Sequence, residues 1–318
     1  MKINLDNYLG SKPFLYGRDL LKRIGAKQRY VNEYDVAEFL GYEIKEINDK
    51  QFQEFKQRYG HDYDIGNLFD DNFCAVSIPK ESVMLIYANL FKNRKRLTIF
   101  HESGHEILPW HIANAFSLRG RDIDPTAHKQ IEREAFLAGT EIMYPLNHFI
   151  DDSRSLALSF QSINSLSDLY NGSFEATGIR YALTNHNIMA IVVVKENTPV
   201  EEQITFLNSN GNGQLVFPNM PKFKKIKPAS TAPLRVQYCS HAYKFPKFIK
   251  SGTEIERNNL IYECWSQQRD KQGEIPASVF GSSAQFKYFA ECIYHQEKVF
   301  VLLWLTDRQI YFGERWYS

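Results

Sequence analysis

The stretch Arg96-Leu-Thr-Ile-Phe-His-Glu-Ser-Gly-His-Glu-Ile-Leu108 contains H-E-x-x-H, and it constrains the fold more than any other part of the chain. On a helix, His101 and His105 stand about one turn apart and project from one face, close enough for both imidazoles to reach one Zn²⁺. Glu102 falls beside them, placed to take a proton from a water whose pKa the ion lowers to about 7. The motif alone is moderately specific, and a surface helix with two stacked histidines is the bland alternative. The flanking residues favour a site. Such a helix buries Leu97, Phe100, Gly104 and Leu108 on its other face and stops at Pro109, which cannot continue the hydrogen-bond ladder. Gly104, between the two histidines, costs about 1 kcal/mol of helix stability relative to Ala. A cost of that kind ordinarily has a packing or functional reason.

A catalytic zinc site takes three protein ligands and keeps one position open. Residues 130–145 read as a second helix closed by Pro145, and they offer Glu132, Glu134 and Glu141. Glu132 shares its face with Ala135, Gly139 and Ile142, a small and apolar stripe suited to lie close against the motif helix. Glu134 shares a face with Ala138 and Glu141 that reads as the solvent side. Glu132 is therefore the preferred third ligand and Glu134 the runner-up; an ordinary solvated glutamate is the expectation for Glu134 and Glu141. Two histidines and a carboxylate suit more than one ion, so Mn²⁺ stands beside Zn²⁺ as a cofactor.

These residues resemble the ImmA/IrrE metallopeptidases of bacteria and their mobile elements. The family pattern is a strand, a basic residue, F-T-x-x-H-E-x-G-H, and a helix of the form E-x-x-A-x-x-F-A-x-x-L-L-M-P. Arg96-Leu-Thr-Ile-Phe-His-Glu-Ser-Gly-His105 matches the first part; Glu132-Arg-Glu-Ala135 and Glu141-Ile-Met-Tyr-Pro145 match the second. The resemblance implies a zincin-like metallopeptidase domain in which His101, His105 and Glu132 hold one zinc ion and Glu102 is the catalytic base. Its third ligand is the one that helical phase prefers. It also implies a specific protein substrate, often a helix-turn-helix repressor whose cleavage releases stress-response or mobile-element genes. Leu97 in place of Phe, Phe136 in place of Asn or Asp, Ala138-Gly139 in place of Phe-Ala and Tyr144 in place of Met depart from the pattern. These departures touch helix packing and none of the proposed ligands.

The 318 residues suffice for more than one core. We expect an α+β protein: a zincin-like domain over 1–150, a helical segment over 151–187, and a C-terminal α+β domain over 188–318. Hydrophobic content of 43% and a net charge of +1 give no global bias toward nucleic acid or membrane. The first residues form no apolar signal region and no run reaches the length of a membrane span, so a cytoplasmic location is expected. Cys74, Cys239, Cys264 and Cys292 lack any C-x-x-C pairing, which argues for buried free thiols over a disulfide framework or a thiolate site.

In chain order, residues 35–41 read as a short helix ended by Gly41. Residues 73–78 and 83–88 read as strands joined at 79–82, forming a sheet edge beside the motif helix with which an extended substrate can pair. His111, His128 and Tyr144 are candidates to polarise a substrate carbonyl; for the histidines, a plain surface position is the more ordinary expectation. Helices over 153–160, 163–170 and 174–183, with a turn at Asn171-Gly172, resemble a helix-turn-helix. Arg180 is read as the one exposed cation of the last helix. That is too few phosphate partners for a groove reader, so the segment reads as a packing element, with direct nucleic-acid contact weakly supported. Beyond it, strands at 188–194, 204–207, 214–217, 234–238, 299–305 and 309–312 are expected to form an antiparallel sheet, with 208–213 as a hairpin loop. The basic run at 221–228 reads as a solvated loop. The resemblance gives this domain a regulatory or sensor-like role. The competing reading is a non-proteolytic binding module whose metal site is structural or vestigial. Retention of Glu102 speaks against it, because a structural site needs no general base.

Overall fold

The computed structural model describes residues 10–59, 75–111, 125–185, 187–196, 233–242, 245–246 and 249–305. Its helices, a three-stranded sheet and a five-stranded antiparallel sheet make an α+β fold. The chain divides into two compact units, one within Ile3–Ala157 and Gln161–Tyr181, the other within Leu158–Phe160 and Ala182–Ser318. Among the described residues, no helix is long and apolar enough to cross a membrane. The expected strands at 204–207, 214–217 and 309–312, the loop 208–213, the basic run 221–228 and Cys74 lie outside the described residues.

In the first unit, α1 (Lys12–Arg23) carries Pro13 in its first turn, where a missing N–H goes unneeded. Asn32 caps α2 (Glu33–Phe39) by accepting from the Tyr34 backbone N–H at 2.8 Å. The chain leaves α2 through Gly41 at φ +85°, a backbone that glycine adopts without strain. β1 (Glu43–Ile47), α3 (Asp49–Tyr59), β2 (Ala75–Ile78) and β3 (Val83–Tyr87) follow. β3 is central, parallel to β1 and antiparallel to β2. Its Val83–Ile86 run is buried throughout, as a strand covered on both faces must be. Met84 and Ile86 pack with Ile99 of the motif helix, whereas Val83 and Leu85 pack with Phe52 and Phe55 of α3. One face of the sheet thus supports the motif helix.

That helix is α4 (Lys92–Ile107), and it lies against α5 (Pro125–Met143). The buried face of α4 comprises Arg96, Ile99, Phe100, Ser103 and Gly104, with Leu97 only half-buried. The expected face is thus rotated, because a cation takes an inner position. Arg96 pairs with Glu33 of α2 and sits 4.3 Å and 4.8 Å from the ring centres of Tyr30 and Phe100. At the crossing with α5, a Cβ on Gly104 would meet the Ala135 carbonyl, and one on Gly139 would meet the Phe100 carbonyl. The cost of glycine in these helices is therefore a packing requirement. Gly104→Ala is expected to destabilise the protein despite alanine's better helix propensity of about 1 kcal/mol, since forcing two backbones apart costs about 1–3 kcal/mol. Urea denaturation of the variant beside wild type checks the sign; an unchanged or raised midpoint would contradict the crossing described here.

α6 (Leu146–Arg154), α7 (Phe160–Tyr170) and α8 (Phe174–Thr184) complete the helices of this region, and the stretch Gln161–Tyr181 groups with the first unit. Two expectations are corrected here. Glu141, expected on the solvent side, is 1% exposed, and Arg180, expected as an exposed cation, is 0% exposed. Arg180 Nη2 donates to Glu141 Oε2 at 2.5 Å and to the Tyr144 carbonyl at 2.6 Å, and the Leu146 backbone N–H donates to Glu141 Oε1 at 3.2 Å. Helical phase places both residues correctly on their own helices but cannot see that α8 closes over the C-terminal end of α5. The helix-turn-helix-like pair thereby loses the one cation expected to be exposed on its last helix.

The second unit is built on β4 (Met189–Glu196), β5 (Leu234–His241), α9 (Leu260–Gln267), β6 (Lys271–Pro276), β7 (Lys287–His295) and β8 (Lys298–Trp304). Sheet order is β5-β4-β8-β7-β6. Inward residues Val192, Val194, Ala290, Cys292, Val301 and Leu303 share one core with Ile261 and Cys264 of α9. Sequence reading misses β6 and β7. β6 is polar, contains Gly273 and ends in Pro276, a composition that only an edge strand tolerates. Cys264 and Cys292 are free and buried, as expected, and Cys239 is free and half-buried. Burial pushes the thiols of Cys264 and Cys239 up to about 12, which keeps them protonated and unreactive.

Candidate metal centre

α4 and α5 bring His101, His105 and Glu132 together, as helical phase requires. His101 Nε2 lies 3.1 Å from Glu132 Oε2 and 3.2 Å from His105 Nε2, and His105 Nε2 lies 3.6 Å from Glu132 Oε1. A tetrahedral ion with bonds of about 2.1 Å needs donor atoms about 3.4 Å apart. The three separations lie around that value, the two to Glu132 through different oxygens, and the three residues can hold one small divalent cation. Side-chain exposures of 22% for each histidine and 42% for Glu132 leave the triad reachable from solvent. Burial alone would raise the Glu132 pKa, but hydrogen bonds and charge from His101 and His105 outweigh it and hold the carboxyl well below the usual range. Burial likewise pulls His105 down, yet Glu132 and Glu102 reverse the sign and leave it raised. Positive charge is therefore favoured at this point between the helices. Glu132→Ala is expected to cost zinc affinity more than the roughly 10–100-fold typical for removing a residue that only supports a ligand. Chelator competition measures the loss, and a smaller effect than that of Glu134→Ala would reassign the third ligand.

Glu102 is turned toward the sheet edge. Its Oε2 accepts from the Ser77 backbone N–H at 3.2 Å and from Ser77 Oγ at 3.0 Å, so β2 anchors the carboxylate beside the histidines. One turn on, Glu106 Oε2 accepts from the Tyr42 hydroxyl at 2.5 Å. Burial pushes Glu106 up, and the Tyr42 and Ser77 hydroxyls offset part of that shift. Burial and then the Glu106 hydrogen bond push Tyr42 up as well, keeping it a donor. Sequence reading misses Ser77, Tyr42 and Glu106. The i, i+4 spacing of Glu102 and Glu106 was the only available signal, because the other two residues come from distant positions in the chain.

The remaining candidates fall into place differently. Leu108 is extended (φ −100°, ψ 101°), the conformation that a following proline imposes, and this turns Trp110 and His111 back beside α4. His111 is 5% exposed, and both of its ring nitrogens are engaged: Nδ1 is 3.0 Å from His105 Nδ1, and Nε2 is 3.1 Å from Glu134 Oε2. It has no N–H to offer a substrate carbonyl, and that candidate role is withdrawn. Burial lowers the His111 pKa, with Glu134 opposing. Glu134, expected as a solvated residue, accepts from Trp110 Nε1 at 2.6 Å and Gln130 Nε2 at 2.9 Å. Its carboxyl is lowered: burial acts upward, but hydrogen bonds from Gln130, Trp110 and His111 outweigh it. Tyr144 is 0% exposed and shares a 3.0 Å hydrogen bond with Thr177, a position that excludes it from substrate. The His128 side chain lies outside the described residues.

No family model and no curated protein matches this chain. Among solved structures, a Mycobacterium tuberculosis transcriptional regulator aligns with a TM-score of 0.52 at 9% identity, covering 94% of this chain and 80% of that one. At that identity the likeness is one of fold: the two proteins share an α+β architecture along most of this chain.

Proposed function

We propose that this protein is a zinc-dependent endopeptidase of the ImmA/IrrE type, acting in the cytoplasm on a specific regulatory protein, a DNA-binding repressor by resemblance. One observation carries the reading: the H-E-x-x-H helix and Glu132 converge at donor separations suited to a single small cation, with Glu102 held alongside. His101, His105 and Glu132 would hold the ion, with Zn²⁺ first and Mn²⁺ as the alternative. When bound, such an ion supplies Lewis-acid polarisation of a carbonyl and acidifies water toward pKa about 7. Glu102 accepts the proton of the attacking water and returns it to the leaving amine. The Ser77 N–H and hydroxyl restrain one carboxylate oxygen, which orients the other for that transfer. The open exposure of the triad supports a catalytic over a structural site, since structural zinc sites close all four positions with protein. The test compares newly formed N-termini in cells expressing wild type or Glu102→Gln. A cut in a DNA-binding repressor that depends on Glu102 is the expected result. Absence of any Glu102-dependent cut by folded, zinc-loaded protein would turn the reading to a binding module.

A further inference from the structure

Behind His105 runs a chain of side chains whose geometry constrains where the protons can sit. Glu134 Oε2 accepts from Trp110 Nε1 at 2.6 Å and faces His111 Nε2 at 3.1 Å; Oε1 accepts from Gln130 Nε2 at 2.9 Å. His111 Nδ1 then faces His105 Nδ1 at 3.0 Å, and His105 Nε2 belongs to the triad. An ionised carboxylate only accepts and an indole N–H only donates, so Glu134 is held as the accepting end. His111 must turn its N–H on Nε2 toward Glu134. A neutral imidazole has a single N–H, which leaves His111 Nδ1 as an acceptor. The contact with His105 Nδ1 is then a hydrogen bond only if His105 carries its proton on that atom. For a neutral His105, the form in which an imidazole binds a metal, this leaves a bare lone pair on Nε2, directed at the triad.

The same assignment follows from the other end. A cation at the triad requires an unprotonated Nε2 on His105; the His105 proton then sits on Nδ1, His111 Nδ1 accepts it, and the proton of His111 goes to Glu134. We infer that Glu134 and His111 are positioning residues that lock His105 in its Nδ1–H tautomer and so hold Nε2 as the metal-ligating atom. The His111 side chain is only 3% exposed, so bulk water does not stand in as the acceptor. Trp110, which holds the far end, is itself fixed by the edge of Tyr16 with ring centres 5.4 Å apart. A solvated imidazole would exchange between tautomers, and one of them places an N–H where the cation must sit. Two residues that sequence alone reads as a runner-up ligand and a substrate contact thus serve one ligand instead.

This inference rests on reading His101, His105 and Glu132 as a cation site, and it does not depend on peptidase chemistry. The test measures zinc affinity of the full chain by chelator competition for wild type, His111→Phe and His111→Gln. His111→Phe fills the space without an acceptor and is expected to lose about 10–100-fold in affinity. His111→Gln offers a carbonyl oxygen to the His105 Nδ1–H and is expected to recover most of the loss. Were His111 merely filling space, Phe would be the better replacement; that order, or equal affinities, overturns the inference. A second readout needs no variant. Nitrogen NMR of histidine-labelled, zinc-loaded wild type is expected to show His105 protonated at Nδ1 and His111 at Nε2, and the opposite assignment at either ring overturns the inference. Folded wild type that takes up no zinc removes the cation site and this inference together, whereas zinc uptake without any peptide cleavage removes only the peptidase reading.

Discussion

Glu102→Gln is expected to lower peptide hydrolysis by about 10²–10⁴-fold, the usual worth of a positioned general base, while leaving zinc uptake essentially unchanged. The side chain keeps its length and its anchor: a Gln carbonyl oxygen still accepts from the Ser77 N–H and hydroxyl, now at 3.2 Å and 3.0 Å from the carboxylate. Its amide then occupies the position of the second carboxylate oxygen and cannot take up a proton. Glu102 stands outside the triad of donors, so the cation site is expected to survive the change. The assay pairs cleavage rate on the identified substrate with chelator competition on the same preparation. A cleavage rate within tenfold of wild type would remove Glu102 from the chemistry, and a parallel loss of zinc would show that the variant damaged the site instead.

Arg180→Met is expected to destabilise the first unit by about 3–5 kcal/mol, because it strands a buried carboxylate. Glu141 and Arg180 are 1% and 0% exposed, and their 2.5 Å contact joins α5 to α8. Loss of the guanidinium also removes the donor that the Tyr144 carbonyl uses at 2.6 Å. The cost arises from leaving one charge alone out of water. Replacing both partners, as Glu141→Leu with Arg180→Met, is therefore expected to recover much of the loss, since an apolar pair of similar volume is often as stable as a buried ion pair. Chemical denaturation of the two single variants and the double variant measures the coupling. Single-variant losses below about 1 kcal/mol, the worth of an exposed ion pair, would contradict the burial described here.

Local pattern alone accounts for the parts of this protein that depend on the spacing of neighbours along one helix or strand. The i, i+4 placement of His101 and His105 and the stripe of Glu132, Ala135, Gly139 and Ile142 follow from the helical period of 3.6 residues, and the buried strands around Val83–Tyr87 and Met189–Glu196 follow from continuous apolar runs. Gly104 was legible as an anomaly, and its cause emerged only at the crossing with α5. Where outcomes depended on what another element brings, spacing was silent or misleading. β6 and β7 needed their sheet neighbours to be recognised, and Ser77 and Tyr42 reach the site from separate parts of the chain. The hardest cases were the polar residues. Glu141 and Arg180 read as solvent-facing because a charge is ordinarily hydrated, yet they are buried against each other, and Arg96 is buried against Glu33. His111 and Glu134 gained their place only when the turn at Leu108 folded the chain back onto α4. Sequence thus determined the chemical groups and the faces they share, because those are set by bonded geometry. Tertiary structure decided which of them meet and which face each other across a hydrogen bond, because the energies of burial and of hydrogen bonding depend on residues far apart in the chain.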